Sequence, residues 1–423
     1  MSSKMSKNKI FLSVIFAGIY FLWSLMPIFT AEYADDSIRT LFLGLMLMAI
    51  FCSVIENSFI IKGDKLLFLI ILLMIVYFIM DIVNYADAHK YVNVVCFFWL
   101  PFILSLVMKE KQRVQIAKWI TLLLLITLIT SAIGVISDNS VSRTIAHATS
   151  DTSLQISISK HNIAGIYLFQ MVVILLPSII AIFDYYNKKI AKYVTIMILM
   201  YVLISASYSI TILMALFALV LIIFMKNIEK GSSIYRIFIT GLLLVFLLIL
   251  LILGNEILSI FAQLINNERV SVRLEEIRFL LYGGSTLSSF GDVSERLELY
   301  MSSLNTFKDN FLMGVGPYYS FNKFENGIGY HSQIFDDCAR FGVWAVAFYI
   351  LFIHGYYVKL KDKWNKCGCT WVALSTMIVY VLFLILNLGF RSDFESAVVA
   401  FVIPTIPYWI YRKKRSAVNE EFE

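Results

Sequence analysis

The sequence predicts an all-α fold: a polytopic membrane protein with about twelve transmembrane helices and one large extracytoplasmic loop that itself contains helices. Apolar residues make up 60% of the chain and charged residues 15%, whereas a soluble domain carries about 25% charged residues. The mean hydropathy is +0.80. Most of the surface is therefore expected to face lipid. The net charge of +6 lies in short clusters between apolar runs, which is a membrane-topology pattern and does not indicate a nucleic-acid partner.

The apolar runs give the order of the helices. Runs long enough to cross about 30 Å of hydrocarbon begin near residues 10, 40, 66, 91, 119, 161, 193, 210, 237, 332, 370 and 397. The first is expected to be a retained helix, because its small-residue cleavage site is poor. The run over 193–225 is too long for one crossing and is interrupted by polar residues 205–209. We therefore predict a helix break there.

The basic clusters predict the orientation. Lys and Arg concentrate on the cytoplasmic side of a membrane protein, and alternate segments of this chain are rich in them: 4–9, 62–65, 109–118, 188–192, 226–236, 359–366 and 412–415. Both termini are then cytoplasmic. The chain divides into residues 1–254 with nine helices, the large outer loop 255–331, and residues 332–423 with three helices and a cytoplasmic tail.

The large loop has a predicted order of its own. Residues 266–282 place four apolar side chains on one helical face beside several arginines, which suits a helix in the plane of the lipid headgroups. A second helix is expected to begin at Asp292 and to end near Asp309. The sequence Gly314-Val315-Gly316-Pro317 follows and predicts a tight turn.

Arginines of the loop are the first candidates for a binding site. Arg269, Arg273 and Arg296 carry guanidinium groups, whose paired N–H donors match phosphate oxygens. The same arginines can instead contact anionic lipid headgroups or pair with neighbouring glutamates. Gly314 and Gly316 are a further candidate for phosphate contact, although a plain turn is the favoured interpretation because no Lys-Ser/Thr sequence follows.

A cluster of ionisable residues opens the next predicted membrane helix. His331 is a candidate base or phosphate ligand, and Asp336 and Asp337 are spaced to pair with Arg340 on a helix. Asp336, Asp337 and Arg340 are candidates for substrate binding, and Arg340 can instead form a structural pair with a buried carboxylate. No acidic or cysteine spacing indicates a metal site, and no nucleotide-binding motif is present, so neither a metal nor another cofactor is expected.

These elements together resemble a known family. An Arg-bearing helix (Arg296 to Tyr300), the turn at Gly314 and Gly316, and His331 with a glycine eleven residues later at Gly342 resemble the O-antigen polymerase and ligase superfamily. The resemblance implies about twelve helices in the bacterial cytoplasmic membrane, with Arg296 and His331 as the catalytic residues. This chain differs from the family pattern in two places. Ser332 stands where the family often has Asn, and Ser207-Tyr208 stands where it often has a Ser-Arg pair. The resemblance implies that the family's Ser-Arg pair contacts pyrophosphate, and Arg269 or Arg273 could make that contact here.

The resemblance also implies the chemistry. The expected function is polymerisation of polyprenyl-pyrophosphate-linked oligosaccharides of a capsule, exopolysaccharide or O-antigen, by metal-independent inverting glycosyl transfer on the outer face. One alternative is a ligase that moves finished polymer to a final acceptor, and a second is a flippase or transporter of the same lipids. The expected partners are the lipid-linked oligosaccharide, membrane lipids, a chain-length regulator and a flippase.

Overall fold

A computed structural model describes most of the chain. The described residues are 11–32, 36–57, 64–85, 97–138, 141, 158, 160–231, 253–264, 271–272, 274–275, 278, 291–316, 327–386 and 393–420. Within these ranges the regular structure is helical, and no strand is present. The all-α prediction is thereby confirmed for the described part of the chain.

The named helices follow one another with short connections where both ends are described. They are α1 (Leu12–Leu25), α2 (Pro27–Glu32), α3 (Asp36–Glu56), α4 (Lys65–Tyr85), α5 (Phe97–Val107), α6 (Glu110–Ser137), α7 (Ile166–Tyr185), α8 (Lys189–Ser205), α9 (Ser209–Lys230), α10 (Gly291–Asp309), α11 (Gln333–Phe341), α12 (Val343–Asn365), α13 (Thr370–Leu386), α14 (Asp393–Ala397) and α15 (Ile403–Glu420). A π-helical turn, Val398–Val402, joins α14 to α15.

Several helices have the length and composition of membrane spans. Five of the described helical stretches are long and apolar enough to cross a membrane: Glu110–Ser137, Ile166–Tyr185, Ile210–Glu229, Val343–Asn365 and Phe394–Tyr411. Shorter apolar helices lie at Leu12–Leu25, Thr40–Glu56, Lys65–Ile79 and Thr370–Leu386. The crossing predicted to begin near residue 237 lies outside the described residues, except for its last part. The number of crossings, about twelve, stays a prediction.

The predicted break in the run over 193–225 is confirmed. α8 ends at Ser205 and α9 begins at Ser209, and Ser207 between them has a positive φ of 57°. α6, in contrast, begins at Glu110, well before the apolar run near residue 119. Its first turn is polar and is closed by Gln112, whose side-chain oxygen accepts from the Lys109 backbone N–H at 2.8 Å. Hydropathy marks only the apolar part of such a helix.

One predicted helix is divided in the structure. The expectation of a membrane helix starting near residue 332 was wrong, because α11 ends at Phe341 and the long apolar helix α12 starts at Val343. Gly342 between them has φ 60° and ψ −146°, a conformation essentially restricted to glycine. A Cβ added there would lie 2.5 Å from the Phe311 carbonyl oxygen.

Aromatic rings fill much of the space between the helices. Trp99 of α5 lies 4.5 Å from Phe348 and 4.9 Å from Phe352 of α12, measured between ring centroids. Phe341, at the end of α11, stacks on Tyr77 of α4 with centroids 3.7 Å apart. Such ring pairs add about 0.5 to 1.5 kcal/mol each beyond the burial of their area. They fix α11 and α12 against α4 and α5.

Polar side chains join helices at the end of the bundle predicted to be cytoplasmic. Glu56 of α3 accepts from the Ser13 hydroxyl at 2.5 Å and from the Leu12 backbone N–H at 2.7 Å, so it closes the start of α1. Asp184 of α7 pairs with Lys192 of α8 at 2.8 Å and Lys226 of α9 at 2.5 Å. These contacts hold the helices together away from the candidate site.

Replacing Gly342 by Ala should destabilise the protein. The backbone conformation alone costs a residue with a Cβ about 1 to 3 kcal/mol, and the added methyl also meets the Phe311 carbonyl. We expect a lower Tm in detergent for Gly342→Ala. The matched control is Gly44→Ala, since Gly44 lies inside α3 with open space around it, and alanine there should be neutral or stabilising. Equal Tm values for the two variants would contradict this account.

Candidate functional site

Hydroxyl groups on α10 hold the segment that carries His331. The Ser303 hydroxyl donates to an oxygen of Asp336 on α11 at 2.6 Å, and its oxygen accepts from the Gly329 backbone N–H at 2.8 Å. The Thr306 hydroxyl donates to the Gly327 carbonyl at 2.7 Å. α10 is therefore bonded both to α11 and to the chain that leads into it.

Asp336 organises the backbone on both sides of His331. Besides Ser303, it accepts from the backbone N–H groups of Tyr330 and Ser332. Ser332 in turn begins α11 as its N-cap, since its side-chain oxygen accepts from the Phe335 N–H at 3.2 Å. Burial raises the pKa of the Asp336 carboxyl, and Arg340 with these donors opposes the rise. The arrangement fixes the chain at His331 with Tyr330 at a φ of 55°.

The ring of His331 is oriented by a backbone carbonyl. Its Nδ1 lies 3.0 Å from the carbonyl oxygen of Gly329, and the side chain is half-buried. A carbonyl oxygen only accepts hydrogen bonds, so Nδ1 carries the proton in this contact. In the neutral ring the lone pair is then on Nε2. Nε2 is thus the ring nitrogen that can take up a proton.

Arg296 is oriented through a tyrosine one helical turn later. Its guanidinium hydrogen-bonds the side chain of Tyr300, and the Tyr300 hydroxyl donates to the Leu386 carbonyl at 2.8 Å. The guanidinium therefore donates to the tyrosine oxygen. Burial raises the pKa of Tyr300, and the charge of Arg296 opposes that rise.

Both predicted catalytic residues are brought to one end of α13. Tyr300, the partner of Arg296, bonds the Leu386 carbonyl, and Ser332, the neighbour of His331, lies 3.5 Å from the Leu384 carbonyl. Leu386 is the last residue of α13. The sequence separates Arg296 from His331 by a helix and a turn, whereas the fold places both beside the same helix end.

Asp337 and Arg340 form the ion pair that the spacing predicted. Nη1 of Arg340 lies 3.1 Å from Oδ1 of Asp337. The other carboxylate oxygen accepts from the Tyr349 hydroxyl at 2.6 Å and from the Gln333 amide at 2.8 Å. The Tyr330 ring covers the guanidinium at 5.3 Å.

These charged groups lie inside the protein. Asp336, Asp337 and Arg340 are 1%, 0% and 2% exposed. Burial raises the pKa of Asp337 to about 6, against the effects of Arg340, Tyr349 and Gln333. A role in binding substrate stays a prediction for all three, and their contacts in the structure are with other protein groups.

The glycine turn docks on the end of α11. The N–H groups of Val315 and Gly316 donate to the carbonyls of Ala339 and Arg340 at 3.0 and 2.9 Å, two of the acceptors that a helix end leaves open. Gly314 has φ 64°, and a Cβ there would overlap the Arg340 carbonyl. The structure thus confirms that Gly314 and Gly316 form a turn. Contact of Gly314 or Gly316 with a substrate stays a prediction.

The other loop arginines are only partly described. Arg269 and Arg273 lie outside the described residues. Arg278 pairs with Glu275 at 2.6 Å and donates to the Asn255 side chain at 3.2 Å, which is the structural pairing that the sequence left open. Of the predicted in-plane helix over 266–282, the structure describes residues 271–272, 274–275 and 278, and all of these are helical.

Sequence reasoning missed the residues that orient the site. Ser303 and Tyr300 were not singled out, because an isolated hydroxyl carries no motif. A signal was nevertheless present: Tyr300 follows Arg296 by four residues, and Ser303 and Thr306 are three apart, so each pair shares one face of the predicted helix. In the part of the chain that the structure describes, no group of three His, Cys, Asp or Glu side chains is placed to hold a metal ion.

The apolar helices and the buried polar unit define a helical membrane protein with a half-buried histidine and arginine at one helix end. Residues 193–350 match the family model described as O-antigen ligase. The matched segment contains Arg296, His331 and the whole α10–α11 unit. This match confirms the resemblance to the O-antigen polymerase and ligase superfamily and supports a membrane function of the ligase or polymerase type. No curated protein matches the chain.

The buried carboxylate of Asp337 should make stability depend on pH. Its folded-state pKa of about 6 exceeds the unfolded value of about 3.9, so the folded protein binds this proton more tightly. The stabilisation is complete below pH ~4 and is lost as the pH rises through about 6, with a size of about 3 kcal/mol. Tm measured in detergent from pH 4 to 7 should therefore fall more steeply for the wild type than for Asp337→Asn.

The exposed carboxylate Glu298 provides the control for that measurement. Glu298→Gln should keep the pH dependence of the wild type, because this side chain is on the solvent-accessible face of α10. Identical pH profiles for the wild type and Asp337→Asn would show that Asp337 does not titrate in this range.

Proposed function

We propose that this protein polymerises lipid-linked oligosaccharide repeat units by glycosyl transfer at the outer face of the bacterial cytoplasmic membrane. The observation that carries the proposal is that the neighbours of both predicted catalytic residues, Tyr300 and Ser332, contact the end of α13. Arg296 and His331 both belong to the segment that matches the O-antigen ligase model. The donor is an oligosaccharide chain on polyprenyl pyrophosphate. The acceptor is a hydroxyl group on the next lipid-linked unit.

The reaction needs one bond to form and one to break. The acceptor oxygen attacks the anomeric carbon of the donor from the face opposite the leaving group, so the configuration inverts. The bond from the anomeric carbon to the pyrophosphate oxygen breaks, and the lipid pyrophosphate leaves with the electron pair. Arg296 is placed to stabilise the negative charge that develops on that oxygen. The bond between the sugar and the pyrophosphate, which breaks in this step, supplies the driving force, so no nucleotide is required.

His331 has two roles compatible with this reaction. As a base, its Nε2 takes the proton from the acceptor hydroxyl; as a phosphate ligand, it contacts the pyrophosphate while the leaving group accepts the proton. The Gly329 carbonyl holds the proton on Nδ1, which favours the role of Nε2 as a base. The two roles are distinguished by the pH dependence of the rate.

The buried charges next to His331 are assigned to positioning. Asp336 fixes the backbone at 330–332, and the pair of Asp337 and Arg340 fixes α11 against α12. Their burial favours this role over direct binding of substrate. Arg269 and Arg273 remain our candidates for a second pyrophosphate contact.

The finer topology belongs to the same proposal. About twelve crossings with both termini in the cytoplasm put residues 255–331 on the outer side, where the lipid-linked sugars are joined. A flippase that delivers the repeat units and a regulator of chain length are the expected partners.

The size profile of surface polysaccharide in a strain that lacks the protein separates the three candidate functions. Polymerisation predicts that single repeat units accumulate on lipid and that no ladder of longer chains forms. Long lipid-linked chains that never reach a final acceptor would favour the ligase alternative. Precursors confined to the cytoplasmic leaflet would favour a flippase and contradict the catalytic assignments.

Replacing Arg296 or His331 by Ala should stop chain growth while the protein remains folded in the membrane. Loss of an oxyanion-stabilising donor costs roughly 100- to 1,000-fold in rate, and loss of a general base roughly 100- to 10,000-fold. The measurement is the polysaccharide ladder in a complemented deletion strain, together with the amount of protein in the membrane.

Two matched control variants remove an arginine and a histidine that lie outside the proposed site. Arg278→Ala removes a loop arginine engaged by Glu275 and Asn255, and His354→Ala removes an exposed histidine of α12. Both controls should support chain growth. Full-length polymer from Arg296→Ala or His331→Ala would exclude that residue from the mechanism.

A further inference from the structure

An exposed apolar turn lies directly after α10. Phe311, Leu312 and Met313 are consecutive and are 49%, 67% and 49% exposed. The turn is closed by the Gly314 N–H, which donates to the Asn310 carbonyl at 2.8 Å. Three large apolar side chains exposed side by side form a patch that water solvates poorly.

The turn is fixed to the beginning of a membrane helix. The Val343 N–H donates to the Phe311 carbonyl at 2.7 Å, and Val343 is the first residue of α12, which is long and apolar enough to cross a membrane. The next side chain, Trp344, is 48% exposed, as expected for an aromatic residue at a membrane interface. The exposed apolar surface continues along α12 at Ile350 and Leu351. The turn is therefore bonded to the end of a helix whose exposed side chains include Trp344 and Leu351, seven residues apart on one face.

The exposed side of α10 has an apolar edge and a polar edge. Leu297 and Met301, one turn apart, are exposed on one edge, and Lys308 continues this edge two turns later. Glu298, Asn305 and Asp309 are exposed along the other edge. At 100° per residue, Glu298 and Asp309 lie about 100° and about 120° around the helix from Leu297, and Met301 and Asn305, one turn apart, lie between them. A lysine within the apolar edge can extend its charged end to the headgroups while its stem contacts hydrocarbon.

We propose that the turn at 311–313 and the apolar edge of α10 insert into the hydrocarbon of the outer leaflet, with the polar edge of α10 facing water. The occupant of this surface is the acyl chains of the bilayer. The insertion holds the α10–α11 unit at the membrane surface and so sets the height of Arg296 and His331. The choice of the outer leaflet rests on the topology given with the proposed function, whereas the membrane contact itself does not depend on the enzymatic activity.

Site-directed spin labelling tests the insertion in the full-length chain. Single cysteines replace Leu297 and Leu312 on the apolar surface, and Glu298 and Asp309 on the polar edge of α10. The background keeps the buried Cys338 and carries Ser at the other native cysteines: Cys52, Cys96, Cys367 and Cys369. The background chain without an added cysteine should take up no label. Each variant is placed in vesicles of phosphatidylethanolamine and phosphatidylglycerol.

The readout is the accessibility of each label to oxygen, which partitions into lipid, and to a water-soluble nickel chelate. We expect the ratio of oxygen to nickel accessibility to be several-fold higher at 297 and 312 than at 298 and 309. Equal ratios at all four positions would place the turn in water and overturn the proposal. Low accessibility to both reagents at 312 would show that protein covers the turn, and would overturn it equally.

Discussion

A buried carboxylate joins the two helices that carry the site. Removing a carboxylate from water costs several kcal/mol unless donors replace the lost hydration. Asp336 finds those donors in the Ser303 hydroxyl of α10 and in the backbone N–H groups of Tyr330 and Ser332. The carboxylate is satisfied only when α10 packs on α11 and the chain at His331 adopts its observed path. Folding of the loop and orientation of the histidine are therefore one event.

Asp337, the next residue, is also a buried carboxylate, and its hydrogen-bond donors lie on another side of α11. Asp337 is turned by about 100° from Asp336 and takes its donors from Arg340, Gln333 and the Tyr349 hydroxyl of α12. One acidic residue thus fixes α11 to α10, and the next fixes α11 to α12. The glycine conformation at Gly342 allows the two helices to meet at that junction. A break between α11 and α12 follows from these contacts and not from helix propensity.

The sequence predicted the membrane class, the break at 205–209 and the helix over 292–309, because each depends on local hydropathy or on turn residues. It predicted that Arg340 pairs with Asp336 or Asp337, because both pairs are local to one helix, and it left open which of the two forms. It did not predict that α11 and α12 are separate. A glycine such as Gly342 is compatible with a continuous apolar helix, and its contact with Phe311 is visible only in the folded structure. Nor did it identify Tyr300 and Ser303, whose partners lie in segments distant in sequence. Contacts of this kind depend on tertiary packing, which periodicity does not encode.

Backbone carbonyls hold the two proposed catalytic side chains: Gly329 orients His331, and Leu386 orients Arg296 through Tyr300. A carbonyl oxygen only accepts hydrogen bonds, so Gly329 holds a ring proton on the nitrogen that faces it, and Leu386 fixes the Tyr300 hydroxyl so that the tyrosine oxygen accepts from Arg296. An arginine held in this way keeps donors directed elsewhere, since its guanidinium has five N–H groups. A pyrophosphate at headgroup depth would meet those donors without leaving the membrane surface. Under the proposed function, the loop would supply the reacting groups, and the helices that anchor it would set their height above the bilayer.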